Sequence, residues 1–263
     1  MKRILVVILS IILVFSVSVI ACADNERVSG AFTYRIKGNG TAVITGYDWE
    51  SQVHQDIFIP RMIDGYTVTE IGSCAFASVD ENWDGQKNPD VVWPYGAASL
   101  VIPDTVVSIG DKAFMGICFE DTTSISIPAS VQHIGAGAFS CTYNIQQFVV
   151  DAGNTTYATI DGVLFNKKEK SLIAYPNGRV NLEYSYKAQT PTITYEIPNS
   201  IVSIGDFAFY DVTIGKFGDY KLGLHLVFPD TVESIGEWAF AHAVVSYYWD
   251  GFILKLPANL KSL

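Results

Sequence analysis

The sequence predicts a β-rich solenoid, and three observations predict it. One phrase recurs: an apolar residue and Pro, a short stretch to Ile-Gly, two residues, then Ala-Phe. It reads Ile102-Pro103…Ile109-Gly110-x-x-Ala113-Phe114, Ile127-Pro128…Ile134-Gly135-x-x-Ala138-Phe139, Ile197-Pro198…Ile204-Gly205-x-x-Ala208-Phe209 and Phe228-Pro229…Ile235-Gly236-x-x-Ala239-Phe240. A looser first copy runs from Ile59-Pro60 to Ile71-Gly72-x-x-Ala75-Phe76, and a broken last one from Leu256-Pro257 to Leu263. The residues before Pro alternate, as in Ile193-Thr-Tyr195-Glu-Ile197, which is a strand pattern of period two. Finally, one coil alone cannot bury Ile, Val, Ile, Ala and Phe, whereas stacked coils can.

Each part of the phrase has a physical reason. Pro ends the strand because it has no N–H for the ladder. The next piece, such as Ser130 to Ile134, is a second extended arm that turns Val131 and Ile134 inward. Gly follows where the chain must turn tightly, at a position expected to need positive φ. Ala allows close backbone approach, and Phe supplies a ring for the core.

The N-terminus reads as a targeting segment over residues 1–23: Lys2 and Arg3, an apolar run to Phe15, then small residues. Two cleavage readings stand side by side. Ala21-Cys22-Ala23 fits a simple site that leaves Asp24 first, and Val19-Ile20-Ala21-Cys22 resembles a lipobox that would put a lipid on Cys22. Loss of Lys2 and Arg3 takes the net charge from −10 to about −12. That acidity argues against nucleic acid as a partner and suits an exported protein. Cys74, Cys118 and Cys141 remain, an odd number for a disulfide framework. Cys118 and Cys141 follow Ala-Phe in consecutive copies, so stacking could bring them close, but small buried apolar residues are the plainer reading.

The I-P-x-x-V-x-x-I-G-x-x-A-F phrases resemble the BspA-like leucine-rich repeats of bacterial and protist surface proteins. Two further segments match that pattern: Gly40 to Val68, and Asn154-x-x-Tyr157-x-x-Ile160-Asp-Gly-Val-Leu-Phe165…Leu172-Ile-x-Tyr175-Pro176. The resemblance covers about residues 31–263. It implies a leucine-rich-repeat right-handed coil with a parallel β-sheet and short helical or irregular turns. It brings functions from adhesion to coaggregation and no catalytic residues. Residues 24–56 are expected to form an N-terminal cap and 57–263 the solenoid.

The motif prolines, at 60, 103, 128, 198, 229 and 257, are unevenly spaced, and only the 103–128 step is a bare coil. The surplus falls at 78–98, 144–192, 211–222 and 242–251. Three of these segments leave the coil just after Ala-Phe and should project from one side, where repeat proteins often build a binding surface. They are aromatic: Trp83, Trp93 and Tyr95; Phe217 and Tyr220; Tyr247, Tyr248 and Trp249. Exposed Tyr and Trp make good anchors, though rings that fold back over the core would look the same. A second candidate is the row two residues before each Pro and its equivalents: Phe58, Val101, Ser126, Val149, Glu196, Val227 and Lys255. Its apolar members, Phe58, Val101, Val149 and Val227, either meet a partner or reflect β-propensity alone.

Asp80 to Gly85 matches half a calcium loop, but position twelve is Val91 rather than Glu, so no metal and no cofactor are expected. The four His, at 54, 133, 225 and 242, lack zinc spacing, and no nucleophile–base motif is present. The expected protein is an exported, monomeric, non-catalytic adhesion or binding protein for a macromolecular surface ligand, protein or glycan. It would touch a membrane only through a lipid on Cys22. The rivals are a structural spacer cut from a longer surface protein, suggested by the stop at Leu263 in mid-phrase, and, far behind, a hydrolase.

Overall fold

The computed structural model describes residues 26–52, 55–78, 96–179, 193–212, 224–243 and 256–262. The chain opens with β1 (Glu26–Ser29), β2 (Phe32–Ile36) and β3 (Thr41–Tyr47), then β4 (Gln55–Phe58), β5 (Met62–Ile63) and β6 (Tyr66–Ile71). The next copies give β7 (Gly96–Val101), β8 (Ser108–Ile109), β9 (Cys118–Phe119), β10 (Ser124–Ile127) and β11 (His133–Ile134). The variant stretch gives β12 (Gln147–Val150), β13 (Tyr157–Ile160), β14 (Val163–Asn166), β15 (Ser171–Ala174) and a 3-10 turn, Asn177–Arg179. Then come β16 (Ile193–Glu196), β17 (Ser203–Ile204), β18 (Leu224–Val227) and β19 (Ser234–Ile235). Among the described residues no helix is long and apolar enough to cross a membrane.

The strands that precede Pro, β4, β7, β10, β16 and β18, belong to a parallel series completed by β9 and β12: β4 pairs with β7, β7 with β9, β10 with β12, β16 with β18. The short arms that end in Ile-Gly, with β3 and β15 leading them, make a second parallel series in two runs, β3-β6-β8-β11 and β15-β17-β19. Antiparallel β1 and β2 extend the first of these two runs at β3, and β13 and β14 extend the other at β15. The broken last phrase adds a rung, because Ile235 N–H donates to Ser262 O at 3.1 Å and Lys261 N–H to Glu233 O at 2.7 Å. Between the two series lie Val106, Val131, Ile201 and Val232, all buried. Period two splits β14 between two clusters, with Leu164 packed into one and Val163 and Phe165 into the other.

A third line of backbone bonds runs through the Ala-Phe turns. Phe76 N–H donates to Ala113 O, Phe114 N–H to Ala138 O and Phe209 N–H to Ala239 O, each at 2.8 Å. The rings follow: Phe76 and Phe114 stack at 5.1 Å, Phe114 and Phe139 at 5.5 Å, Phe209 and Phe240 at 5.1 Å. The variant stretch has no Ala-Phe, and Tyr175 takes the place, stacking on Phe209 at 5.2 Å. The molecule is therefore a β-rich repeat protein.

The motif glycines do not have the role expected of them. None of Gly72, Gly110, Gly135, Gly205 and Gly236 has positive φ. The left-handed residue comes two positions later: Cys74 (φ 56°), Lys112 (54°), Gly137 (64°), Phe207 (58°) and Trp238 (58°). The motif glycines are needed for contact between copies. A Cβ on Gly110 would meet Ser73 N at 2.5 Å, and one on Gly236 would meet Asp206 N at 2.6 Å. Asp111 and Asp206 follow such a Gly, and each accepts a backbone N–H of the next copy, from Ala136 and Glu237, at 2.8 Å.

Candidate binding surface

The pleat sends alternate residues of the Pro-leading strands inward. Ile57, Leu100, Ile125, Phe148, Tyr195 and Leu226 are buried. Their neighbours face solvent, and parallel registry aligns them: Phe58 with Val101, Ser126 with Val149, Glu196 with Val227. Phe58 is 60% exposed, Val101 and Val149 45%, Val227 39%. Ser99 Oγ donates to the Asp56 carboxylate, which holds that anion on the outward face of β4 beside this row.

Trp83, Trp93, Tyr95, Phe217, Tyr220, Tyr247, Tyr248, Trp249 and Lys255 lie outside the described residues, as do Cys22, the half calcium loop and His54. His133 is exposed at the tip of its arm and His242 is partly buried. Cys74, Cys118 and Cys141 are not joined in disulfides. Burial, then Glu120, raises the Cys118 pKa, which disfavours the reactive thiolate. Among the described residues no group of three His, Cys, Asp or Glu could hold a metal ion.

Sequence reasoning missed an aromatic group on the turn side. Phe207 and Trp238 occupy the left-handed position in successive copies and lie parallel, 6.3 Å apart and 6° from coplanar. Lys112 Nζ sits over the Phe207 ring at 5.0 Å, and Trp238 is 47% exposed. The signal was present as two large aromatics at x-x of Ile-Gly-x-x-Ala-Phe, but their conformation could not be read from their type. Nearby, Tyr143 OH donates to Asp211 Oδ2 at 2.6 Å. Burial is the main cause that raises the phenol pKa of both Tyr143 and Tyr210, so both stay protonated.

Residues 96–214 match the family described as BspA type leucine rich repeat region, in six copies. No curated protein matches the chain. A leucine rich cell surface protein of Faecalibacterium prausnitzii is similar at 19% identity, over 80% of this chain and 72% of that one, with a TM-score of 0.40. The pneumococcal vaccine antigen PcpA is similar at 17% identity, over 90% and 71%, with a TM-score of 0.43. A leucine-rich repeat protein of Eubacterium ventriosum is similar at 17%, over 83% and 63%, with a TM-score of 0.40. On its own repeats and that family match, residues 96–214 are a BspA-type leucine-rich repeat region.

Proposed function

We propose that this is an exported, non-catalytic binding protein. Its copies stack as a right-handed solenoid, and the outward row of the Pro-leading strands meets a macromolecular partner. The observation that carries the reading is the registered pair Phe58–Val101, apolar and solvent-facing on adjacent strands. Exposed apolar side chains that line up across strands cost solubility unless they serve a contact. Export rests on Lys2, Arg3 and the apolar run behind them, and Cys22 remains the proposed site of a lipid. The aromatic segments after Ala-Phe are proposed to flank the same partner.

An array of matrix proteins and glycans, probed with residues 24–263, tests this. At least one ligand should be retained, and Phe58→Ser with Val101→Ser should weaken it by about tenfold or more, as loss of a hot spot does. Unchanged far-UV circular dichroism would show that the fold survives. No retained ligand, or unchanged affinity in the double variant, would contradict the proposal.

A further inference from the structure

We infer that the partner of the outward row is a basic protein segment carrying apolar side chains, laid across the Pro-leading strands. This rests on the row being the binding surface, and it names the chemistry of what binds there.

On the described residues the cations lie outside both parallel strand series. β4, β7, β9, β10, β12, β16 and β18 contain no Lys or Arg. Their charged side chains are Asp56 and Glu196, both exposed, and Glu120 and Asp121 are exposed just past β9. Cations gather elsewhere, as in Lys167, Lys168 and Lys170 of the β14–β15 hairpin. The apolar pair Phe58–Val101 and the single apolar residue Val227 each have a carboxylate beside them. Asp56 is two residues from Phe58, so both point outward, and Glu196 is in register with Val227. Nothing described on this face neutralises those carboxylates.

Charge complementarity therefore favours a cationic partner and disfavours nucleic acid or a sulfated glycan. The apolar members decide between a protein and a neutral glycan. Among the described members of the row Phe58 alone has a flat ring face on which a sugar could stack, whereas Val101, Val149 and Val227 are branched aliphatic groups that offer none. They suit burial of Leu, Ile or Val side chains. The flat rings of Phe207 and Trp238 belong to the turns, not to this row.

The test uses fluorescent decapeptides of alternating Lys-Leu, Glu-Leu and Ser-Leu, titrated into residues 24–263 by anisotropy. The Lys-Leu peptide should bind, and bind more weakly as salt is raised from about 50 to about 500 mM, since short Debye lengths screen such contacts. Asp56→Lys with Glu196→Lys should abolish binding. Glu169→Lys with Glu237→Lys changes net charge equally but lies off this face, and should leave binding within twofold. Equal binding of the Glu-Leu or Ser-Leu peptide, no binding of Lys-Leu, or equal loss in the second charge variant would each overturn the inference. An array ligand that needs Phe58 and Val101 but is acidic or a glycan would also overturn it, while leaving the proposed function standing.

Discussion

Gly135 lies so close to Asp111 of the preceding copy that a Cβ at position 135 would come within 2.5 Å of the Asp111 amide nitrogen. The same Asp111 accepts the Ala136 N–H at 2.8 Å. Gly135→Ala should therefore destabilise by overpacking, by about 1–3 kcal/mol or more, because backbone rather than a flexible side chain must move. Gly38→Ala adds a Cβ that meets nothing within 4 Å, and should change stability by less than about 0.5 kcal/mol. Urea unfolding of both variants checks the contrast.

That relationship shows where the sequence could be read and where it could not. Ile102, Ile109, Ala113 and Phe114 all lie in the core, as their place in the phrase implies. Local pattern carries that information, because strand pleat and repeat length determine which way each faces. The role of Gly135 depends on a neighbour 24 or more residues away, so its local context suggested a turn instead. The left-handed positions were hidden too, since Lys112, Phe207 and Trp238 are poor candidates for φ near +55° by residue type. On the candidate surface, counting back from Pro identified Phe58 and Val101 as outward, while the Phe207–Trp238 stack needed the turn geometry.

Asn154 ties the variant stretch to the copy before it. Its Nδ2 donates to Pro128 O and Val131 O, both at 2.9 Å, and its Oδ1 accepts Thr156 N–H at 2.9 Å and Tyr157 N–H at 2.7 Å. The residue is buried. Asn154→Ala strands two carbonyls and two amides away from water and should cost about 2–4 kcal/mol, above an ordinary single hydrogen bond. Asn154→Asp removes the donors alone and should also destabilise. Chemical denaturation of the two variants is the measurement.

Lys170 is exposed and left-handed at φ 54°, at the turn between β14 and β15. An L-residue pays about 1–2 kcal/mol for this conformation, and Gly loses part of that gain through its freer unfolded chain. Lys170→Gly should raise stability by about 0.5 kcal/mol, and Lys170→Val should lower it. Thermal unfolding of the pair would show opposite shifts in Tm.

Asp64 accepts Tyr34 OH at 2.7 Å and Ser29 Oγ–H at 3.0 Å. Those bonds, Tyr34 first, hold its carboxyl below the ordinary range. A carboxyl lowered on folding contributes stability above its unfolded pKa and loses it as pH falls through the folded value. Wild type should therefore exceed Tyr34→Phe in Tm by a constant margin between about pH 5.5 and 7. The margin should narrow as pH falls below about 4, the unfolded pKa of Asp. A margin independent of pH would mean that the contribution of the Tyr34 hydroxyl does not depend on the ionised Asp64 carboxylate.

Site-specific photocrosslinking tests the central claim most directly. Phe58 and Met62 are both exposed apolar residues, four positions apart, but Phe58 lies in the outward row of β4 and Met62 lies in β5 of the neighbouring hairpin. A benzophenone side chain introduced at position 58 should crosslink the ligand retained from the array, and one at position 62 should not. Crosslinking at 62 but not at 58 would contradict the assignment of the binding surface to the outward row.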